Sequence, residues 1–297
     1  MPGSLTQGAV EILSTAAPAE KIRLTHLLAA AWCAGRIELG AGPVPPQRPA
    51  RLATPALRRP RDMPKRRSGG GLPSRIALLH ALAHIELNAL DLVWDLVARF
   101  ADPALPSAFW DDWVTVADEE ATHHGLLAVR LADLGAAYGD LPAHDGLWQA
   151  AEATSDDLLA RLAVVPLVLE ARGLDVTPTM IAGLDRFGDT ASADALRIIY
   201  RDEIGHVRIG SRWFEAVCAT RGLEPEATWQ DLVRRHFKGT LKRPFNTEAR
   251  DQAGLPAAFY EPLVPLVSEL RGVIPTLDTA PSARPDSACP PACADTD

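Results

Sequence analysis

Apolar residues recur at intervals of three and four through most of residues 74–221, the period of a helix with one buried face. The first such run, about residues 74–100, places Leu79, Leu82, Ala83, Glu86, Leu90, Val93 and Val97 on one stripe. ADPALP, with its two prolines, stops it. A second run opens at Ser107, a residue suited to an N-cap, and reaches about residue 134. A third spans about residues 147–171, is closed by GLDVTP, and is followed by a short helical piece over residues 178–187. A fourth begins at GDTASAD, with Thr190 as N-cap, and ends near Arg221; a fifth covers about residues 226–237. No stretch sustains an alternation of period two, so no strands are expected.

Four long helices of this kind predict an all-α fold, a four-helix bundle. The short break after the first makes helices one and two antiparallel neighbours. Residues 135–146 are twelve in number. At about 3.3 Å per extended residue they reach about 40 Å. A 27-residue helix such as the second rises to the same length. A long crossover that returns along the bundle is therefore feasible and nearly taut. The chain divides into an N-terminal helical segment (1–39), a Pro/Gly/Arg-rich linker or strap (40–73), the bundle (74–222), a C-terminal helical extension (223–278) and a tail (279–297) whose composition predicts disorder. The N-terminal segment reads as one helical pattern through Ile12, Leu24, Leu27, Leu28 and Trp32.

The polar residues that break the apolar stripes carry the chemistry. Charged groups are rarely buried unless paired or bound to metal. Glu86 lies on the core stripe, and Glu170 ends the apolar run LAVVPLVLE. Glu120 and Glu203 are each followed three residues later by a histidine, His123 and His206. Residues at i and i+3 share a helix face, so each pair can address one object. Glu86 to Glu120 is 34 residues and Glu170 to Glu203 is 33, so the motif repeats as two similar units. With 15 Glu and 8 His in 297 residues, Glu-x-x-His arises by chance about 0.4 times. Two occurrences at matched spacing point to one site.

Four carboxylates and two imidazoles suit two divalent transition-metal ions, iron first and manganese second. Two such ions carry the charge that four carboxylates neutralise, which lowers the cost of burial. This donor set is the one known from ferritin-like di-iron and di-manganese proteins. Asp202 and Glu119 each precede a ligand glutamate. They are the expected outer partners of His123 and His206, respectively, across the bundle. Tyr200, one turn before Glu203, is the candidate catalytic side chain, for redox chemistry or hydrogen-bond donation, with a packing role as the competing reading. His80 and His84 read as structural hydrogen-bonding residues, and His124 points away from the site. Pro166, four residues before Glu170, predicts a kink or bulge there.

HALAHIELNALDL, DEEATHHGLL, YGDLPAHDGLW, VPLVLEARGLDVTP, YRDEIGHVRIGSRWF and FNTEARDQAG resemble the ferritin-like superfamily, and most closely an uncharacterised bacterial family within it. The resemblance covers about residues 70–256. It implies a dinuclear site at Glu86, Glu120, His123, Glu170, Glu203 and His206, and it implies no particular reaction. The chain departs from many di-iron enzymes at Gly205, where they carry an arginine that ties the fourth helix to its neighbours.

Three functions follow as expectations. The first is an oxidoreductase that activates O₂ or peroxide on a small-molecule substrate, with an electron donor as a further partner. The second is iron handling of the ferroxidase type. The third is modification of tRNA, with the basic residues 234–250 as docking edge. The net charge of −8 argues against nucleic acid as a general partner. Every apolar run is interrupted by charge and no signal segment is visible, so a soluble cytoplasmic protein is expected. Cys33 and Cys218 sit in apolar helical contexts and read as buried, and Cys289 and Cys293 lie in the tail.

Overall fold

The computed structural model describes residues 2–59, 62–63 and 70–264. The expected tail with Cys289 and Cys293, and most of the expected end of the C-terminal extension, lie outside these residues. The chain opens with α1 (Leu5–Leu13) and α2 (Pro18–Cys33), two helices where one is expected. Pro18, in the first turn of α2, explains the break. After α2 the chain runs extended as a strap. Arg51 of the strap pairs with the buried Asp91 at 2.6 Å, and Arg48 pairs with Asp145 and Glu152. A two-residue strand β1 (Leu57–Arg58) closes the strap. It pairs in parallel with β2 (Ala143–His144), a contact too short for periodicity to reveal.

The bundle begins with α3 (Leu72–Arg99) and α4 (Ser107–Asp133). Pro106, not Ser107, holds the N-cap position of α4. β2 and α5 (Gly146–Ala153) follow. The third stave is continuous from residue 158 to 186. It consists of α6 (Leu158–Val164), a π-helical segment (Val165–Glu170) and α7 (Ala171–Arg186). The fourth is α8 (Thr190–Arg221), capped by Asp189 instead of Thr190, its carboxylate accepting from the Ser192 N–H. α9 (Pro225–His236), α10 (Thr247–Gln252) and α11 (Ala257–Tyr260) complete the described chain.

Ion pairs at the two ends fix the topology. Asp189, at the start of α8, accepts from Arg75 near the start of α3 (2.8 Å) and from Arg130 near the end of α4 (3.3 Å). At the opposite end Arg221 of α8 pairs with Asp157, just before α6, at 3.3 Å. Arg161 of α6 pairs with Asp95 near the end of α3 at 2.7 Å. So α3 and α8 run one way, and α4 and the third stave run the other. The chain from residue 134 to 157 returns the length of the bundle, as a long crossover does. α5 belongs to this return and is not the start of the third helix, because the chain breaks at Thr154 before Asp157 caps α6.

The crossover is pinned to α3 by histidines. His80 Nε2 accepts the N–H groups of Gly139 (3.0 Å) and Leu141 (3.4 Å). His84 bonds the Tyr138 hydroxyl at 2.8 Å and the His144 carbonyl at 3.1 Å.

The third stave differs most from expectation, because GLDVTP does not end it. Pro178 lies inside α7 and supplies no N–H for the Leu174 carbonyl. Asn246 Nδ2 donates to that carbonyl at 3.2 Å, and Arg250 Nη2 donates to the Ala171 carbonyl at 3.3 Å. Groups some 70 residues downstream thus replace the missing helical bond. The bulge expected from Pro166 is the π-helical segment, in which the Ala171 N–H reaches back five residues to the Pro166 carbonyl. The Pro166 ring lies so close to α8 that a Cβ at Gly210 would come within 2.4 Å of it.

α3 is long and apolar enough by length and composition to cross a membrane, against expectation. Its most apolar window is 67% buried inside the bundle, as befits a core helix. Cys218 is buried, whereas Cys33 at the last residue of α2 is exposed. The apolar face of that helix turns inward through Leu28, Ala29 and Ala31 and leaves Cys33 outside.

Candidate metal centre

Four staves converge on a buried carboxylate–histidine cluster. Glu86 reaches it from α3, Glu120 and His123 from α4, Glu170 from the π segment, and Glu203 and His206 from α8. Glu120, His123 and His206 have no measurable solvent exposure. One donor atom each from Glu86, Glu120, His123 and Glu203 lies within 4.8 Å of the others, an arrangement that can hold a metal ion.

Glu120 sits at the middle. Its Oε2 lies 3.7 Å from His123 Nδ1, and its Oε1 lies 3.1 Å from His206 Nδ1. His123 Nδ1 also faces Glu86 Oε2 at 3.5 Å, and His206 Nδ1 faces Glu203 Oε2 at 3.8 Å. The two rings are 5.6 Å apart between centroids. Each oxygen of Glu120 therefore belongs to a different imidazole.

The outer ring nitrogens are engaged elsewhere, and they cross over between helices. His123 Nε2 meets Asp202 Oδ2 of α8 at 3.3 Å, while His206 Nε2 meets Glu119 Oε2 of α4 at 2.8 Å. A carboxylate accepting from Nε2 leaves the Nδ1 lone pair aimed inward. His124, one residue on, hydrogen-bonds through Nδ1 to the Ala83 carbonyl at 2.8 Å and faces away.

Beyond the facing contacts between the two imidazoles and the glutamates, the inner atoms have no hydrogen-bond partners. Glu86 Oε2, both oxygens of Glu120, both of Glu170, Glu203 Oε2, His123 Nδ1 and His206 Nδ1 are all buried and unsatisfied. Buried polar atoms are normally paired, and leaving one unmet costs about 1–3 kcal/mol. Eight such atoms on six residues, four of which bring a donor atom within 4.8 Å of one another, fit a group that accepts lone pairs.

Electrostatics give the same picture. Burial, with the neighbouring Glu120 charge, pushes Glu86 up to about 7 and Glu170 up to about 8. Burial also raises Glu203 well above the carboxyl range. At Glu120 the same burial is outweighed by His123 and His206, which hold its carboxyl well below the usual value. At His123 burial favours the neutral ring, but Glu120 and Glu86 win and push it up to about 11. Glu119 and Glu120 overcome burial at His206 in the same way.

Tyr200 is half-buried, and its hydroxyl accepts from Asn246 Nδ2 at 2.8 Å. Asn246 and Arg250 matter here because they support the stave that carries Glu170. Nothing in the local sequence signals that role, since the orphaned Leu174 carbonyl is visible only once α7 is known to continue.

Fold and cluster together define a helical-bundle protein with a buried acid–histidine site able to hold a metal ion. The chain belongs to the family described as "Protein of unknown function (DUF455)", which matches residues 14–261. It is also 44% identical over 205 residues to a protein of Haemophilus influenzae described as "Uncharacterized protein", covering 67% of this chain and 71% of that one. No solved structure matches.

Proposed function

We propose that the chain is a ferritin-like dinuclear non-haem metal oxidoreductase that activates O₂ or peroxide on a small-molecule substrate. Glu86, Glu120, His123, Glu170, Glu203 and His206 would hold two divalent ions, iron or manganese. The eight unsatisfied buried donor atoms carry this reading. The return crossover between α4 and α6 supports the ferritin-like assignment. Such a pair of ions supplies one-electron chemistry toward O₂ or peroxide.

The chain's own residues do the rest. Glu120 presents one oxygen to each half of the site. Asp202 and Glu119 fix the imidazoles with Nδ1 inward. Leu87, Leu90, Ala117 and Ala121 belong to the apolar core on the staves that carry Glu86 and Glu120. Tyr200 is the candidate proton or electron donor, its hydroxyl held by Asn246.

The test is anaerobic loading of the full chain with Fe(II), followed by exposure to O₂. Iron-dependent oxygen consumption that Glu120→Gln abolishes is expected. Consumption no greater than that of free Fe(II), with either iron or manganese, defeats the proposal.

A further inference from the structure

Three of the six Lys and Arg residues in 234–250 are ion-paired. Arg235 pairs with Asp231, Arg243 with Glu261, and Arg250 with Asp175. The chain after α9 folds over the third stave and roofs a cavity of about 340 Å³. That is within the size range of small-ligand sites, roughly 300–1,000 Å³.

One wall of this cavity is apolar. Ile85 of α3 and Leu169 of the π segment line it, together with Leu147 and Phe237. Ile85 immediately precedes Glu86, and Leu169 immediately precedes Glu170. The cavity therefore lies against the same two helical turns that deliver these glutamates. The histidines hang from α4 and α8, which contribute nothing to its lining.

The other wall is cationic. Arg172 and Lys242 line it beside the Asp175–Arg250 pair. Arg250 is neutralised, since its Nε and Nη2 each meet Asp175 at 2.8 Å. Arg172 makes its hydrogen bonds through Nη1 alone, to the Lys242 carbonyl (2.7 Å), the Pro244 carbonyl (3.2 Å) and Asp175 (3.3 Å). Its other donors remain for a ligand. Lys242 is exposed, and its ammonium has no partner among the described residues. With the single carboxylate of Asp175 shared between Arg250 and Arg172, and Lys242 unpaired among the described residues, an excess of positive charge thus faces one half-apolar cavity in a chain of net charge −8. A purely inorganic anion would leave the apolar wall unused, and a neutral apolar molecule would leave that charge unmet.

We propose that this cavity binds an amphiphilic organic anion, an apolar body ending in a carboxylate or phosphate. The head group would sit between Arg172 and Lys242, and the body would lie along Ile85 and Leu169 beside the metal centre. As the identity of the substrate, this rests on the metal reading above; as a binding site, it stands alone.

Isothermal titration of the full chain with octanoate, octyl phosphate and 1-octanol tests it, in chelator-treated and Mn(II)-loaded protein. Both anions are expected to bind both forms, with the tighter one naming the head group, and octanol is expected to bind far more weakly. Lys242→Glu changes an exposed, unpaired residue and leaves the fold alone. It should weaken the anions about tenfold and leave octanol unchanged. Octanol binding as tightly as octanoate, equal affinity in Lys242→Glu, or no anion binding at millimolar concentration would each overturn the proposal. Anion binding to a protein that loads no metal would sink the metal reading alone. Metal loading without anion binding would sink this one alone.

Discussion

Glu170→Gln is the substitution in which the site's electrostatics become a stability measurement. Both Glu170 oxygens are buried without partners, and burial with the Glu120 charge raises its pKa from 4.5 to about 8. A carboxyl whose pKa rises on folding contributes most below its unfolded value, and that contribution is lost as pH climbs toward the folded value. At pH 7 the unfolded chain ionises freely while the metal-free folded chain holds the proton. The gap of about 2.5 units from the unfolded 4.5 to pH 7, at about 1.36 kcal/mol per unit, penalises the metal-free fold by about 3 kcal/mol. Glutamine has nearly the same shape and never ionises, so it removes the penalty. The metal-free variant should therefore be more stable than wild type at pH 7 by up to about 3 kcal/mol. The melting midpoint should rise by roughly 6–12 °C for a chain of this size. Below pH 4.5 the two should converge. With Mn(II) or Fe(II) present the order should reverse, because wild type gains ligand-linked stability that the variant has lost. Calorimetry of chelator-treated and metal-loaded proteins across this pH range reads all three effects. A metal-free Glu170→Gln protein less stable than wild type at pH 7 would refute the reasoning and mark Glu170 as a satisfied structural residue.

The other predictions concern what surrounds the ligands. Asp202→Asn and Glu119→Gln should each weaken metal loading by about 10–100-fold in a competition titration. Loading at pH 7 should release protons from His123, His206, Glu170 and Glu203, because all four are raised above their ordinary values and must be deprotonated to ligate. The sign follows: affinity falls as pH falls, and titrations in buffers of different ionisation enthalpy count the protons. Gly210→Ala puts a methyl within 2.4 Å of the Pro166 ring and must push the π segment off α8. Destabilisation of about 1–3 kcal/mol, together with weakened loading, is expected by denaturant melts and the same competition titration.

Much of the fold lies open in the residue pattern. α3, α4 and α8 follow from their apolar period, and their ends fall within two residues of expectation. The meeting of Glu86, Glu120, His123 and Glu203 is legible because charged residues on core stripes at matched heights have few alternatives. The third stave is not legible. Gly173 and Pro178 are ordinary stop signals, and what overrides them is a pair of side chains on a distant segment, Asn246 and Arg250. Helix propensity is a local quantity, and this compensation is tertiary. The charge of the basic segment is only partly legible for a similar reason. Arg235, Arg243 and Arg250 look like a charged edge until their partners Asp231, Glu261 and Asp175 are placed beside them. Cys33 illustrates the weakest inference, since an apolar context along the chain does not say which way a residue at a helix end points.

The most direct test of the central claim is the number of metal ions bound per chain. Purified protein, stripped and then titrated anaerobically with Fe(II) or Mn(II), should take up two ions per chain by elemental analysis, and Glu120→Gln should lower that number. A wild-type protein that binds none, or that binds two equally well without Glu120, would contradict the account.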